Sequence, residues 1–318
     1  MSVADDILGY LLVGVCMSCV LYGVTTVQTF MYVQTYREDR LSLKMMVIAI
    51  WVMETLQTGF CINFLYMYAA RHFGDFVFLG GIYWTGGITI YLGTFIQFFV
   101  LCFYVKRVWT LSNGSKGLTA PLVFLVMCRF ATAIATSSYS YIYPNWVALK
   151  AQTGPLVAVV IGQGSSTLID VAVAGILIYY LRRGRQGDWK SSDGVASFLT
   201  MYIVNTGALT SIFSLTIAIT YGVEDNLLFM ALTEMQYKLY ANAFLGSLNA
   251  RQHIRAKYNE TRTLRYPTIS FSNKSELSTA DPQTDLEVLQ EVVGTNGSVN
   301  GTSAASEISS TIPRDDTV

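Results

Sequence analysis

Long apolar runs alternate with short polar connections along most of this chain. There are seven such runs, and each has the roughly 20 residues that an α-helix needs to cross the hydrocarbon core of a bilayer. The pattern therefore predicts an all-α polytopic membrane protein built as a seven-transmembrane-helix bundle. We place the helices at about 7–33, 44–70, 83–105, 118–140, 155–181, 196–220 and 227–249.

The composition agrees with this class of protein. Hydrophobic residues make up 52% of the 318 residues and charged residues 13%, whereas a soluble domain carries about a quarter charged residues. The formal net charge is zero, so the charge balance gives no indication of a nucleic-acid partner. The five cysteines all fall inside apolar runs, which favours packing roles over a disulfide framework or a zinc site. The acidic start and the long first run predict a retained signal-anchor helix.

Basic residues in the connections indicate how the bundle is oriented. The first, third and fifth connections hold ten Lys and Arg residues, and the even connections hold two. By the positive-inside rule, the N-terminus is expected outside and the C-terminus in the cytosol. The expected cytosolic basic loops include Arg37, Arg40, Arg107, Arg182, Arg183 and Arg185.

The composition divides the chain into a transmembrane domain over 1–255 and a cytosolic tail over 256–318. From Pro267 onward the tail is rich in Ser, Thr, Asp, Glu, Gly and Asn and poor in aromatic residues, which predicts disorder. The basic stretch from Arg251 to Tyr266 has two interpretations. It either lies along the inner membrane surface or extends the seventh helix.

Five ionisable residues lie well inside the predicted spans: Glu54, Arg129, Asp170, Glu234 and Lys238. Each would cost several kcal/mol if it faced lipid, so each is expected to face the bundle interior. Counting residues from the helix ends places most of them near the membrane midplane. Lys238 then has two candidate partners: Glu234, four residues earlier on the same helix, and Glu54 on the second helix.

Further polar residues lie in the predicted spans, namely Gln57 on the second helix, Asn205 on the sixth and Asn242 on the seventh. Two interpretations remain open. In the first, the polar side chains hydrogen-bond between helices and only hold the bundle together. In the second, they line a cavity for a ligand, an ion or a proton. The candidate polar core comprises Glu54, Gln57, Arg129, Asp170, Asn205, Glu234, Lys238 and Asn242.

Several functional classes fit the sequence poorly. The chain lacks the acid-Arg-aromatic and Asn-Pro-x-x-Tyr motifs of the commonest seven-helix receptors. Lys238 could form a Schiff base with retinal, but the third predicted helix offers no carboxylate as counter-ion. Neither His72 nor His253 lies in a predicted span, so no intramembrane catalytic set is found. We therefore expect no enzyme and assign no catalytic, cofactor-binding or metal-binding residue.

Several segments together resemble a known family. "DVAVAGILIYYLRRGRQG", "MYIVNTGALTSIFSL" and "KLYANAFLGSLNARQ", with "WVMETLQTGF" in the N-terminal half, are similar to mushroom-fungal seven-helix membrane proteins that carry domain of unknown function 6534. The resemblance covers about residues 8–255 and implies an integral membrane protein without an assigned activity. The matching positions are Trp51, Glu54, Asp170, Asn205, Gly207, Lys238, Tyr240, Asn242, Asn249 and Arg251.

The expected function is that of a receptor-like or sensory protein of the plasma membrane or an endomembrane. Its expected partners are the lipid bilayer, a small ligand in the polar core and a cytosolic partner at the basic loops and tail. The alternatives are a small-solute or proton transporter and a structural membrane protein with no ligand. A transporter built from repeats should show two similar halves, and no repeat is found at the level of residues.

Overall fold

The computed structural model describes residues 3–184, 193–224 and 226–265, whose regular secondary structure is helical. This confirms the predicted all-α class for the described part of the chain. A π-helical turn, Met67–Arg71, continues the second helix. In chain order the α-helices are α1 (Val3–Thr35), α2 (Leu41–Tyr66), α3 (Phe76–Gly80), α4 (Trp84–Leu111), α5 (Lys116–Ile142), α6 (Trp146–Lys150), α7 (Thr153–Gly184), α8 (Asp193–Val223) and α9 (Leu228–Arg265).

Six of these helices are long and apolar enough to cross a membrane. They give the spans Leu8–Thr35, Leu41–Arg71, Trp84–Leu111, Lys116–Ile142, Thr153–Tyr180 and Asn205–Val223. The chain is therefore an integral membrane protein by the length and composition of its helices. The seventh predicted run, 227–249, corresponds to α9, which is long but is not among the six. Polar residues such as Glu234, Gln236, Lys238 and Asn242 lower its mean hydropathy.

The position of α9 explains its polar composition. It packs against α1, α2, α4 and α8. Most side chains from Phe229 to Leu248 are buried and none is exposed, whereas α1 and α2 each expose many apolar side chains. A helix with protein neighbours on several sides can satisfy polar groups internally, which a helix that faces lipid cannot do.

Two hydrophobic clusters enclose a polar layer. The α1–α2 and α4–α5 connections lie at one end of the bundle, which we call the basic end. The cluster toward the basic end includes Tyr32, Ile50, Val105, Tyr240 and Leu248. The cluster toward the opposite end includes Leu11, Phe64, Trp146, Phe229 and Met230. Along α2 and α9 the buried charges lie between these clusters, so the apolar packing fixes the depth of the polar layer.

Two short helices close the end opposite the basic end. Asp75 caps α3 by accepting hydrogen bonds from the backbone N–H groups of Val77 and Phe78. Asn145 caps α6 by accepting one from the N–H of Ala148. These side chains satisfy N–H groups that the first turn of a helix leaves without partners. Such caps define short helices that the pattern of apolar runs did not predict.

The helix ends differ from the predicted ones mainly at the basic end. Helix α4 continues to Leu111, so Arg107 lies on its last turns and not in a loop. Helix α7 continues to Gly184 and carries Arg182 and Arg183 on its backbone, whereas Arg185 lies outside the described residues. Long basic side chains extend from a helix end toward water, which lets a helix continue past its apolar run.

Helix α9 also continues past the predicted end at 249. It runs to Arg265 and therefore includes most of the basic stretch, which agrees with the second interpretation of that stretch, an extension of the seventh helix. It also passes the predicted domain boundary at 255. The predicted tail beyond Arg265 lies outside the described residues.

Candidate functional site: a buried polar layer

The structure buries seven of the eight predicted core residues. Glu54, Gln57 and Lys238 are completely buried, and Arg129, Asp170, Glu234 and Asn242 are less than 9% exposed. The prediction was wrong for Asn205, which is exposed on α8. The buried side of α8 follows Thr210, Ser214 and Ile217. At 3.6 residues per turn, Asn205 lies about 140° around the helix from Thr210, so it points away from the core.

Lys238 is held by α2. Its Nζ lies 3.2 Å from Oε2 of Glu54, and both side chains are fully buried. The same ammonium group donates to the Glu54 carbonyl at 3.2 Å, to Oε1 of Gln57 at 3.2 Å and to Oγ1 of Thr58 at 2.9 Å. It also lies 5.6 Å from the centre of the Tyr22 ring on α1. A buried ammonium needs such a complete set of partners because its desolvation is costly.

Glu234 has a different environment. Its Oε2 accepts hydrogen bonds from Nε2 of Gln57 at 3.0 Å and from Sγ of Cys61 at 3.2 Å. Among the described residues, Lys238 lies within ion-pair distance of Glu54 and not of Glu234. Gln57 therefore links Glu234 to Lys238, because its amide nitrogen donates to Glu234 while its amide oxygen accepts from Lys238.

Two asparagines attach α9 to α1. Nδ2 of Asn242 donates to the Leu21 carbonyl at 3.0 Å, and Nδ2 of Asn249 donates to the Gln28 carbonyl at 2.7 Å. The two donors are seven residues apart on α9, and the two acceptors are seven residues apart on α1. This repeat keeps the contact on one side of both helices over two turns. The asparagines therefore fix the register of α9 against α1.

A second part of the layer joins Arg129 to Asp170 through neutral side chains. Nη2 of Arg129 donates to Oε1 of Gln97 at 2.9 Å, and Nε2 of Gln97 donates to Oγ of Ser166 at 3.0 Å. Oγ of Ser166 lies 2.8 Å from the hydroxyl of Tyr240, which in turn donates to Oδ2 of Asp170 at 2.7 Å.

All hydrogen bonds in this chain of side chains run in one direction. Because the Tyr240 proton points to Asp170, the Ser166 proton must point to Tyr240. Thr210 of α8 adds a further hydrogen bond to Oδ2 of Asp170 at 2.6 Å. The guanidinium on α5 and the carboxylate on α7 are thus linked through side chains of α4, α7 and α9, without a hydrogen bond between them. Aligned hydrogen bonds of this kind strengthen one another.

Gln97 and Ser166 are members of this chain that the sequence did not single out. One signal was present for Gln97, which is an amide in the middle of the apolar stretch "GTFIQFFVLCF". Ser166 gave no such signal, because hydroxyl side chains are common in membrane helices and usually bond to their own helix.

Small cavities adjoin the second part of the layer. One cavity of about 40 Å³ is lined by Arg129, Thr136, Gln163, Thr233 and Tyr237, together with apolar residues. Another of about 20 Å³ lies beside Asp170, Thr210 and Tyr240. Neither lining includes Glu54 or Lys238. Sites for drug-sized ligands have about 300–1,000 Å³, so both cavities are far smaller than that class.

The first cavity offers both a donor and an acceptor. Nε of Arg129 and Oε1 of Gln163 are buried without a hydrogen-bond partner among the described residues. Such groups are costly inside a protein, so a small polar molecule that bonds to both would be stabilised there.

The buried charges of the layer are not balanced in number. Among the described residues, the layer contains three acids, Glu54, Asp170 and Glu234, and two bases, Arg129 and Lys238. Lys238 balances Glu54 directly, and Arg129 balances Asp170 through the chain of side chains. Glu234 remains as the acid whose hydrogen-bond donors include the uncharged amide of Gln57 and thiol of Cys61. The described residues place no group of three or more His, Cys, Asp or Glu where it could hold a metal ion.

Comparison with known proteins identifies one family. Residues 166–253 match the model of a family described as a family of unknown function, DUF6534. This confirms the predicted resemblance to domain of unknown function 6534 over that stretch. The match includes Asp170, Glu234, Lys238 and Asn242, whereas their partners Glu54, Gln57 and Arg129 precede it. No curated protein and no solved structure matches the chain significantly.

Proposed function

We propose that this protein is a receptor-like, sensory integral membrane protein in which α9 transmits a change in the buried polar layer to the cytosolic side. The main support for this proposal is the attachment of Lys238 to α2. This α9 residue makes an ion pair and three hydrogen bonds, all to α2. From there α9 continues as a helix to Arg265, so a displacement at Lys238 would move the segment beyond the basic end.

The proposal includes seven spans, with α9 as the seventh. The polar residues of α9 face protein and not lipid, so its low hydropathy is compatible with crossing the membrane. The excess of basic residues at one end supports an outside N-terminus and a cytosolic C-terminus. The basic end would then present Arg37, Arg40 and Arg107 to a cytosolic partner. The family resemblance further leads us to expect a fungal protein of the plasma membrane or an endomembrane.

The ligand of such a receptor would be small and polar. The cavity beside Arg129 and Gln163 measures about 40 Å³, which suits a molecule of a few heavy atoms with both an acceptor and a donor. Arg129 is also the first member of the chain that reaches Asp170 on α7 through Tyr240 of α9. A ligand that accepts from Nε of Arg129 would shift the guanidinium whose Nη2 donates to Gln97, and so disturb the chain that reaches α9. The proposal involves no catalytic step.

A thermal-shift experiment tests this proposal. Purified full-length protein in nanodiscs would be heated with small amides, ureas, carboxylates and amines, each present at millimolar concentration. We expect at least one class to raise the unfolding temperature by a few degrees, as mass action requires for a ligand that binds the native state. Gln163→Leu should abolish that rise, whereas Gln34→Leu on the exposed side of α1 should leave it unchanged. Absence of stabilisation by every class would count against a ligand in this cavity.

Limited proteolysis tests whether ligand binding in the cavity is coupled to a change in α9. Trypsin cleavage within 251–265, which contains several Lys and Arg residues, would be timed with and without the stabilising solute. The proposal expects the cleavage rate to change in wild-type protein and not in Gln163→Leu. A ligand that stabilises the fold while cleavage stays constant would indicate binding without transmission.

Proton transport is a second candidate, and the unequal number of buried acids and bases favours it. Carboxylates inside a membrane commonly act as proton carriers, and Glu234 is a buried acid bonded to uncharged donors. Proteoliposomes with a trapped pH dye would show proton flux that Glu234→Gln abolishes. Solute-dependent flux would favour a small-solute transporter instead. A purely structural role predicts neither flux nor stabilisation by a ligand.

A further inference from the structure

A much larger cavity than the two beside the polar layer lies at the basic end, and its lining includes none of the charged residues of that layer. It is a groove of about 590 Å³ between α2 and α4, a volume within the range of small-molecule sites. Arg40, Lys106 and Arg107 line its outer part, and Leu43, Met46, Phe99 and Phe103 line its inner part. Arg40 and Lys106 are exposed. The groove therefore combines a cationic entrance with an apolar floor.

The groove runs along the same direction as a lipid in the membrane, from the headgroup boundary toward the hydrocarbon core. Phe99 precedes Arg107 by eight residues on α4, which corresponds to about 12 Å along a helix. Both helices are long enough to cross a membrane, so the floor points toward the hydrocarbon core and the cations lie near its boundary. Phe99 is 40% exposed and Cys102 is exposed, so the floor is open to the lipid side.

Charge favours an anionic headgroup. The three cations face one acid in the lining, Asp39. Oδ2 of Asp39 accepts a hydrogen bond from the hydroxyl of Tyr32 on α1 at 2.9 Å. Basic pockets between transmembrane helices bind phosphate headgroups, and each basic residue near an anionic membrane surface contributes about 1 kcal/mol.

We propose that this groove binds an anionic phospholipid, with its phosphate at Arg40 and Lys106 and an acyl chain along Met46, Phe99 and Phe103. A soluble phosphate would use the cations and leave the apolar floor exposed. A neutral lipid would use the floor without the cations. The basic part of the lining is complementary to a negatively charged headgroup, and the apolar part is complementary to an acyl chain. An anionic lipid is the class of molecule that carries both groups. The proposal does not depend on the function proposed above.

Protection of Cys102 tests the site directly. Purified full-length protein in detergent micelles would be titrated with dioleoylphosphatidylglycerol or with dioleoylphosphatidylcholine, which has the same acyl chains. The alkylation rate of each cysteine by N-ethylmaleimide would be read by peptide mass spectrometry. We expect phosphatidylglycerol to slow alkylation of Cys102 at least about fivefold more than phosphatidylcholine does. Cys16, which is exposed on α1, serves as the internal control and should react at an unchanged rate.

Charge variants identify the headgroup contacts. Arg40→Gln and Lys106→Gln should each weaken binding of phosphatidylglycerol about fivefold. Lys116→Gln, an exposed residue at the same end but outside the groove, should leave binding unchanged. Cys102→Trp fills the apolar floor without removing a cation and should also weaken binding, as measured by native mass spectrometry. It provides a second test if a charge variant folds poorly.

Three outcomes would overturn the proposal. Equal protection by both lipids would show that only the apolar floor binds. Equal protection by glycerophosphoglycerol, which lacks acyl chains, would assign the site to a soluble phosphate. Unchanged binding in both Arg40→Gln and Cys102→Trp would place the lipid elsewhere on the protein.

Discussion

Lys238 and Glu54 form an ion pair between α9 and α2, with Nζ and Oε2 separated by 3.2 Å and both side chains completely buried. The backbone carbonyl of Glu54 accepts from the same ammonium group, so the lysine is bound to this residue twice. Glu234, one helical turn before Lys238, instead takes its hydrogen bonds from α2. Helix α9 is thus attached to α2 at two levels by two separate carboxylates.

Removal of the lysine should be strongly destabilising. Lys238→Met leaves Glu54 buried without its partner, and breaking a buried pair costs about 3–5 kcal/mol. The double variant Glu54→Leu, Lys238→Met should recover most of that loss, because an apolar pair of similar volume is often as stable as the buried ion pair. Denaturation in mixed micelles would give both free energies of unfolding. Lys116→Met, at an exposed site, is the control, and a Lys238→Met protein as stable as wild type would contradict the buried pair.

Tyr240→Phe should interrupt the chain of side chains between Arg129 and Asp170. The substitution keeps the ring and removes the hydroxyl that joins Ser166 to Asp170. The Ser166 hydroxyl would lose its acceptor, while Oδ2 of Asp170 would keep only the hydrogen bond from Thr210. A buried group left unsatisfied in this way costs about 1–3 kcal/mol. The same unfolding assay would measure the loss, with Tyr66→Phe at an exposed position on α2 as control. Equal effects of both variants would argue that the Tyr240 hydroxyl contributes nothing beyond packing.

Gly93→Ala should disrupt the contact between α4 and α9. A Cβ atom at Gly93 would lie 2.1 Å from Cδ2 of Tyr237, a ring that is itself buried. Overpacking of this kind costs about 1–3 kcal/mol or more. At Gly59 a Cβ would meet nothing within 4 Å, so Gly59→Ala should be neutral or slightly stabilising because alanine favours helix. The difference in unfolding temperature between these two variants measures the cost of the close approach.

Glycosylation mapping tests the orientation. All five N-glycosylation sequons lie on the side that basic residues predict to be cytosolic: Asn113, Asn259, Asn273, Asn296 and Asn300. We expect the wild-type chain expressed in eukaryotic cells to carry no N-glycan. A chain with an acceptor peptide fused before Met1 should gain one glycan that endoglycosidase removes. A glycan on Asn113 or any later sequon would reverse the proposed topology.

Several properties of the site could be predicted from single residues. A charge facing lipid is so costly that Glu54, Arg129, Asp170, Glu234 and Lys238 had to be buried wherever the helices packed, and all five are. The error at Asn205 shows the limit of that rule. An amide costs less to expose than a charge, and α8 turns Asn205 to the outside because its buried side is set by Thr210 and Ser214.

The sequence by itself determined that the chain is helical, that it belongs in a membrane and which charges must lie inside, because these depend on the hydropathy of local segments. Only the tertiary structure decided that Lys238 pairs with Glu54 and that Arg129 reaches Asp170 through Gln97, Ser166 and Tyr240. These partners lie on different helices, and the rotation and depth of each helix follow from side-chain packing along its whole length. No local pattern encodes that register, so residues far apart in the chain become partners only when the bundle is assembled.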